Sequence, residues 1–257
     1  MQTEPQAATK NFAFQSPNGM VLGPVLPISP LDSCVPDPTP SFIDPLLLPP
    51  AEQYKLLIGG VVPRPIALVS SISPNGVPNL APFSFFCGVG SNPMTVLFCP
   101  ASKPDGSDKD TLRNVCPASE GGTGEFVVNV VSEAIGLRMS AAAEPLAYET
   151  SEFEFSGLTP VASVKVRPHR VAESFLSFEC RTRRVIRTNP GAPDSGNIVL
   201  GEVVGVVAAA GLINERHHVD AAMLDAIGRM GGNTYCTTRE RFDLPRGAAA
   251  LGNKLRD

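Results

Sequence analysis

Between residues 64 and 111 the sequence gathers groups that suit an anion. Arg64 stands between two prolines in "VPRPIALVSS", at the entrance of a β-branched run that Ser70 and Ser71 close. Asn79, Ala81 and Ser84 follow in "GVPNLAPFSFF". "SDKDTLRN" then opens a short helix with Ser107 or Asp108 as its expected cap and Lys109 and Thr111 in its first turn. A helix start offers unpaired N–H groups, Lys adds a point charge, Arg a bidentate fork, and hydroxyls complete a shell around phosphate oxygens. Each residue alone is as well explained as a cap, a turn residue or a surface charge. Their collection within 48 residues points to a phosphate-bearing ligand.

Other chemistries find less support. "GGTG" at 121–124 lacks the Gly-Lys-Ser/Thr of a phosphate loop and leads into the strand-like "EFVVNVV", so it reads as a turn. His217 and His218 are adjacent and His169 stands alone, which suits no metal. Six scattered cysteines, with no Cys-x-x-Cys, read as free thiols rather than a zinc site or a disulfide framework. The arginines of "RTRRVIR" could meet an extra phosphate, with Arg181 and Arg183 on one strand face and Arg184 on the other. A ladder of ion pairs is the simpler reading. No nucleophile elbow, catalytic triad or carboxylate pair is present in the pattern, and no catalytic side chain is assigned.

The elements that must carry these residues are mostly strands. "PIALVSSIS", closed by "PNG", is followed by "FSFFCGV", "MTVLFC", "EFVVNVV", "FLSFECRTRRVIR" and "NIVLGEVVGVVAA", each bounded by Gly, Pro, Asn or Ser. Helical pieces are expected at 52–58, 109–115, 133–143 and 219–228. Many strands and few short helices predict a mainly β fold, a closed or nearly closed barrel. Residues 1–50 differ: they hold eleven of the chain's 26 prolines and few charges, yet carry Phe12, Phe14, Val25, Leu26 and Phe42. They read as an extended arm packed on its own or a partner subunit. Residues 51–245 form the domain and 246–257 a tail. With 257 residues, 18% charged, and a formal charge of −4, the chain has no nucleic-acid footprint. It has no apolar run of membrane-spanning length, and its opening lacks the pattern of a signal peptide. A cytoplasmic protein is expected.

Taken in order, "YKLLIGGVVPRPIALVSSISPNGVPNLAPFSFFCGVGSNP", "KDTLRN", "EFVVNVV", "SEFEFSGLTP", "LGEVVGV" and "RMGGNTY" resemble the flavin reductase-like FMN-binding family, which includes flavoredoxins and flavoprotein oxygenases. The resemblance implies an FMN-binding split barrel, a Greek-key β-barrel that pairs as a homodimer with flavin near the interface. It implies an FMN-dependent oxidoreductase that reduces flavin with NADH or NADPH, with an oxygenase or electron-acceptor protein as a further partner. An FMN-holding electron carrier, an oxygenase component, or an interaction protein that has lost flavin are the alternatives. Carried over by motif, Arg64 would meet the FMN phosphate or ribityl chain, and Ser70 and Ser71 the phosphate or ring edge. Asn79, Leu80 and Ala81 would line the ring through backbone groups, with Ser84 on the phosphate side. Lys109, Asp110 and Thr111 match the family's "KDT" beside the phosphate, and Arg229 and Tyr235 match the terminal motif near the pocket.

Overall fold

Ala67–Ile72 is buried along nearly its whole length, and the rest of the molecule is arranged around it. The protein is described by a computed structural model at residues 41–148, 150–247 and 249–250. The chain divides into units at 1–44 and 45–257. Most of the proline-rich arm expected at 1–50 lies outside the described residues, and everything below concerns the second unit. Within the range expected to lack helix, Pro45–Leu47 forms one 3₁₀ turn. Pro50 then opens a helix at its first position, where a missing N–H costs nothing.

The strands are β1 (Arg64–Pro65), β2 (Ala67–Ile72), β3 (Pro78–Phe83), β4 (Phe86–Ser91), β5 (Met94–Phe98), β6 (Glu125–Val130), β7 (Pro160–Val161), β8 (Arg170–Val171), β9 (Leu176–Arg187), β10 (Asn197–Ala208), β11 (Ile227–Arg229) and β12 (Tyr235–Thr237). The helices are α1 (Pro50–Gly60), α2 (Asp110–Val115), α3 (Gly136–Ala141), α4 (Glu152–Ser156) and α5 (Ala221–Leu224). Seven strands form one antiparallel sheet in the order β3-β2-β6-β9-β10-β5-β4, with β1-β11-β12 and β7-β8 as smaller sheets.

β3 and β4 lie at opposite edges of this order, yet only Ser84 and Phe85 separate them in the chain. The three steps from Phe83 to Phe86 reach about 10 Å, some two strand spacings, so the sheet must roll until its edges come close at that end. The interior agrees. The Phe83 ring, from one edge, lies 5.2 Å from Phe98 on β5, and Phe98 lies 5.2 Å from Phe126 on β6. Leu112 and Val115 of α2 complete this inner cluster. The outer face of β2 and β3 is covered by Met139 of α3, Phe153 of α4 and Ile227 of β11, packed on Leu68 and Leu80. The fold is therefore a mainly β split barrel, and β2 shows no alternation of apolar and polar residues because both of its faces are buried.

Some expected elements change. "FSFFCGV" is not one strand: the Ser84–Phe85 corner, where the Cys99 N–H donates to the Phe85 carbonyl at 2.8 Å, breaks it in two. The helix expected at 219–228 is only Ala221–Leu224, because Asp225 turns left-handed at φ +44° and Ile227–Arg229 joins a sheet. At 133–143 a 3₁₀ turn, Glu133–Ile135, precedes α3. The strict alternation expected for "RTRRVIR" fails at Arg183, where the register with β10 slips by one residue. Its arginines do form ion pairs: Arg181 with Glu125 at 3.6 Å, Arg183 with Glu202, and Arg187 with Asp108 at 3.0 Å.

Candidate functional site

The edge strand β3 has an unusual donor pattern. The Leu80 N–H does not pair with β2; it donates to Glu152 Oε2 at 2.9 Å. Alternate residues of a strand aim their backbone groups the same way, so Pro78 and Pro82 share the direction of Leu80. Proline has no N–H. Over Pro78–Phe83 the outward edge thus carries carbonyl acceptors and a single donor, which Glu152 occupies.

Beside this edge lies a pocket of roughly 580 Å³. Asn79, Ala81 and Phe83 form one wall, Lys109 and Thr111 another, and residues 142–146 a third, with Glu152 also on the lining. The pocket holds one cation without a partner. Lys103 is bound to Asp110 at 3.0 Å, with Arg113 at 3.9 Å from the same carboxylate, whereas Lys109 has no ion pair among the described residues. Thr111 is 2% exposed; its hydroxyl accepts from Asn79 Nδ2 at 2.9 Å and keeps its own proton to donate. Ser71 Oγ accepts from Asn79 Nδ2 at 3.2 Å and from Asn114 Nδ2 at 3.1 Å, which braces α2 against the ends of β2 and β3.

The flavin reductase like domain family matches residues 59–225. Nitrilotriacetate monooxygenase component B from Bacillus cereus superposes with a TM-score of 0.75 at 31% identity, over 81% of this chain and 100% of that one. The 2-nitrobenzoate 2-nitroreductase of Pseudomonas fluorescens gives 0.71 at 30% identity, over 81% and 97% of the two chains. Flavoredoxin of Desulfovibrio vulgaris shares the fold at 18% identity, with a TM-score of 0.60 over 74% and 94%. The chain belongs to the flavin reductase-like family.

In this flavin reductase-like protein the residues singled out from sequence fall into three places. Asn79, Ala81, Lys109, Asp110 and Thr111 meet at the pocket, with Ser71 just behind them. Leu80 does not line it: its N–H is taken by Glu152 and its side chain is buried in the outer cluster. Arg64, Ser84, Arg229 and Tyr235 do not line this pocket. Arg64 is 4% exposed and donates to the carbonyls of Ile58, Val61 and Met230 at 2.6, 2.8 and 2.9 Å, and to Ser84 Oγ at 3.2 Å. Burial lowers its pKa, and the guanidinium stays charged within this cage. Arg229 donates to the Tyr235 hydroxyl at 2.6 Å and to the Gly232 carbonyl. Ser70 points to the opposite face of β2 from Ser71, donating to the His169 carbonyl at 2.5 Å and accepting from Asn129.

The cap of α2 is Lys109 itself; Ser107 bonds Asp105 and Asp108 bonds Arg187. The β9–β10 hairpin clamps the loop that delivers Lys109. Ser102 N–H donates to the Ser195 carbonyl at 2.9 Å, and Asn197 Nδ2 to the Pro100 carbonyl at 3.1 Å. A Cβ on Gly106, whose φ is +82°, would stand 2.2 Å from the Gly191 carbonyl oxygen. Glu152 is the pocket residue that sequence reasoning missed. It is 6% exposed, and burial raises its pKa against the opposing Leu80 N–H, with Asp110 raising it further. The one signal was the alternation of Glu152 and Glu154 with Phe153 and Phe155 in "SEFEFSGL", which does not single out Glu152. No group of His, Cys, Asp and Glu among the described residues could hold a metal ion.

Proposed function

We propose that the protein is an FMN-dependent oxidoreductase that accepts electrons from NADH or NADPH, with FMN held in the pocket beside β3. One observation carries the reading: Lys109, which makes no ion pair among the described residues, and Thr111 line one cavity together with Asn79, Ala81, Pro82 and Phe83 of β3. FMN has the matching polarity, with a phosphate at one end and a flat heterocycle bearing an N–H at the other. The pocket volume lies in the range of small-molecule sites. When bound, the flavin supplies the two-electron chemistry itself, between a reduced nicotinamide and an acceptor. The chain's part is to hold and shield. Lys109 and Thr111 would take the phosphate, Ala81 leaves room for close approach, and the Asn79–Ser71–Asn114 network fixes α2.

Purified protein with about one flavin per chain, bleached on anaerobic mixing with NADH or NADPH, is the expected result. Absence of flavin would overturn the reading. Bound flavin that neither donor bleaches would favour an electron carrier, the second reading, which the flavoredoxin-like fold supports. The relation to a monooxygenase component B makes an oxygenase a fitting recipient of the electrons. We further propose a homodimer: no residue of α1 is buried, and Tyr54, Leu56 and Leu57 are about half exposed. Sedimentation at twice the chain mass is expected, and a monomer would refute it. A reducing, cytoplasmic location accords with the five described cysteines, all free thiols.

A further inference from the structure

We propose that Glu152 is a positioning residue that sets which way a flavin lies in the pocket and how readily it is reduced. The inference rests on the flavin reading of the pocket. Glu152 is the first residue of α4, and α4 packs along the open edge of β3. Its Oε2 holds the Leu80 N–H at 2.9 Å, 72 residues away in sequence, and the residue is on the cavity lining. Two prolines and this one hydrogen bond leave no free backbone donor on the outward edge of Pro78–Phe83. That stretch of edge therefore presents acceptors to whatever lies against it, and it blocks pairing with another strand.

Charge then orients the ligand. The cavity's cation with no ion pair among the described residues, Lys109, and its buried Glu152 sit on different elements. Asp105, Asp110 and Glu144 are the other carboxylates on the lining, and Lys103 the other cation, already bound to Asp110. A dianionic phosphate is repelled from Glu152 and drawn to Lys109, which sends the ring toward β3 and α4. A flavin gains negative charge on reduction, so a carboxylate in this low-dielectric wall holds its potential down.

The test compares wild type with Glu152→Gln and Glu152→Asp, each loaded with FMN, by spectroelectrochemical titration at pH 8. Gln keeps an acceptor for the Leu80 N–H and removes the charge; Asp keeps the charge but draws it back. Expected for Gln is at least a tenfold gain in affinity for reduced over oxidised FMN. For a two-electron couple that is a rise of about 30 mV. Asp should fall between Gln and wild type, and it decides the matter should Gln not fold. FMN-loaded variants with the wild-type potential would overturn the role of Glu152 and leave the flavin site standing. A wild-type protein that takes up no FMN would overturn both.

Discussion

Two cations of the same neighbourhood have opposite fates. Arg64 spends its guanidinium on three backbone carbonyls and Ser84, whereas Lys109 lines the pocket with no carboxylate partner among the described residues. Their alanine variants should therefore separate cleanly. Lys109→Ala loses a charged hydrogen bond to phosphate, about 1.5–3 kcal/mol, and FMN affinity falls roughly ten- to a hundredfold with the melting temperature unchanged. Arg64→Ala instead strands the carbonyls of Ile58, Val61 and Met230, and should cost about 3 kcal/mol of stability. Fluorescence titration with FMN and thermal melts of the same two proteins check both statements. An Arg64→Ala protein of wild-type stability that no longer holds FMN would return Arg64 to the ligand. Nothing in "VPRPIALVSS" distinguishes these outcomes, because the acceptors that claim Arg64 come from the end of α1 and the residue after it and from Met230, 166 residues on.

At the scale of elements, β10 passes close to the Phe126 ring of β6. A Cβ on Gly201 would lie 2.3 Å from Cζ of Phe126, whose ring is wholly buried in the inner cluster. Neither can yield without shifting Phe98, so Gly201→Ala should destabilise by about 1–3 kcal/mol. A lowered urea midpoint with an unchanged slope is the expected result, and wild-type stability would mean that β10 gives way. Although the two- and three-residue strands were not among the expected elements, the long ones, β2, β5, β6, β9 and β10, were legible in sequence, since β-branched runs bounded by Gly, Pro and Asn need no tertiary information. The corner at Ser84–Phe85 was not, because only closure of the sheet demands it. α4 and its bond to Leu80 were equally hidden, since a five-residue helix has no periodicity to read and its partner lies 72 residues away.

For the molecule as a whole, one inner cluster draws on β2, β3, β5, β6, β9, β10 and α2, so whatever opens it opens the barrel. Cys116 and Cys180 both sit within it, 2% and 0% exposed. Burial is the main force on each thiol. It pushes Cys116 from the ordinary 9.0 up to about 11, against the nearby Arg187 guanidinium, and it raises Cys180 as well. An acid whose folded pKa is raised stays protonated in the native state while the unfolded chain has already ionised. Between pH 9 and 11 the native state therefore binds more protons, and stability falls as pH rises. The contribution of Cys116 is complete below pH 9 and is lost as pH passes 11, on the order of 2 kcal/mol. Urea midpoints across this range should drop for wild type and drop less for Cys116→Ala, whatever that variant's stability at pH 8. Parallel curves for the two proteins would show that the thiol is ionised without opening the barrel.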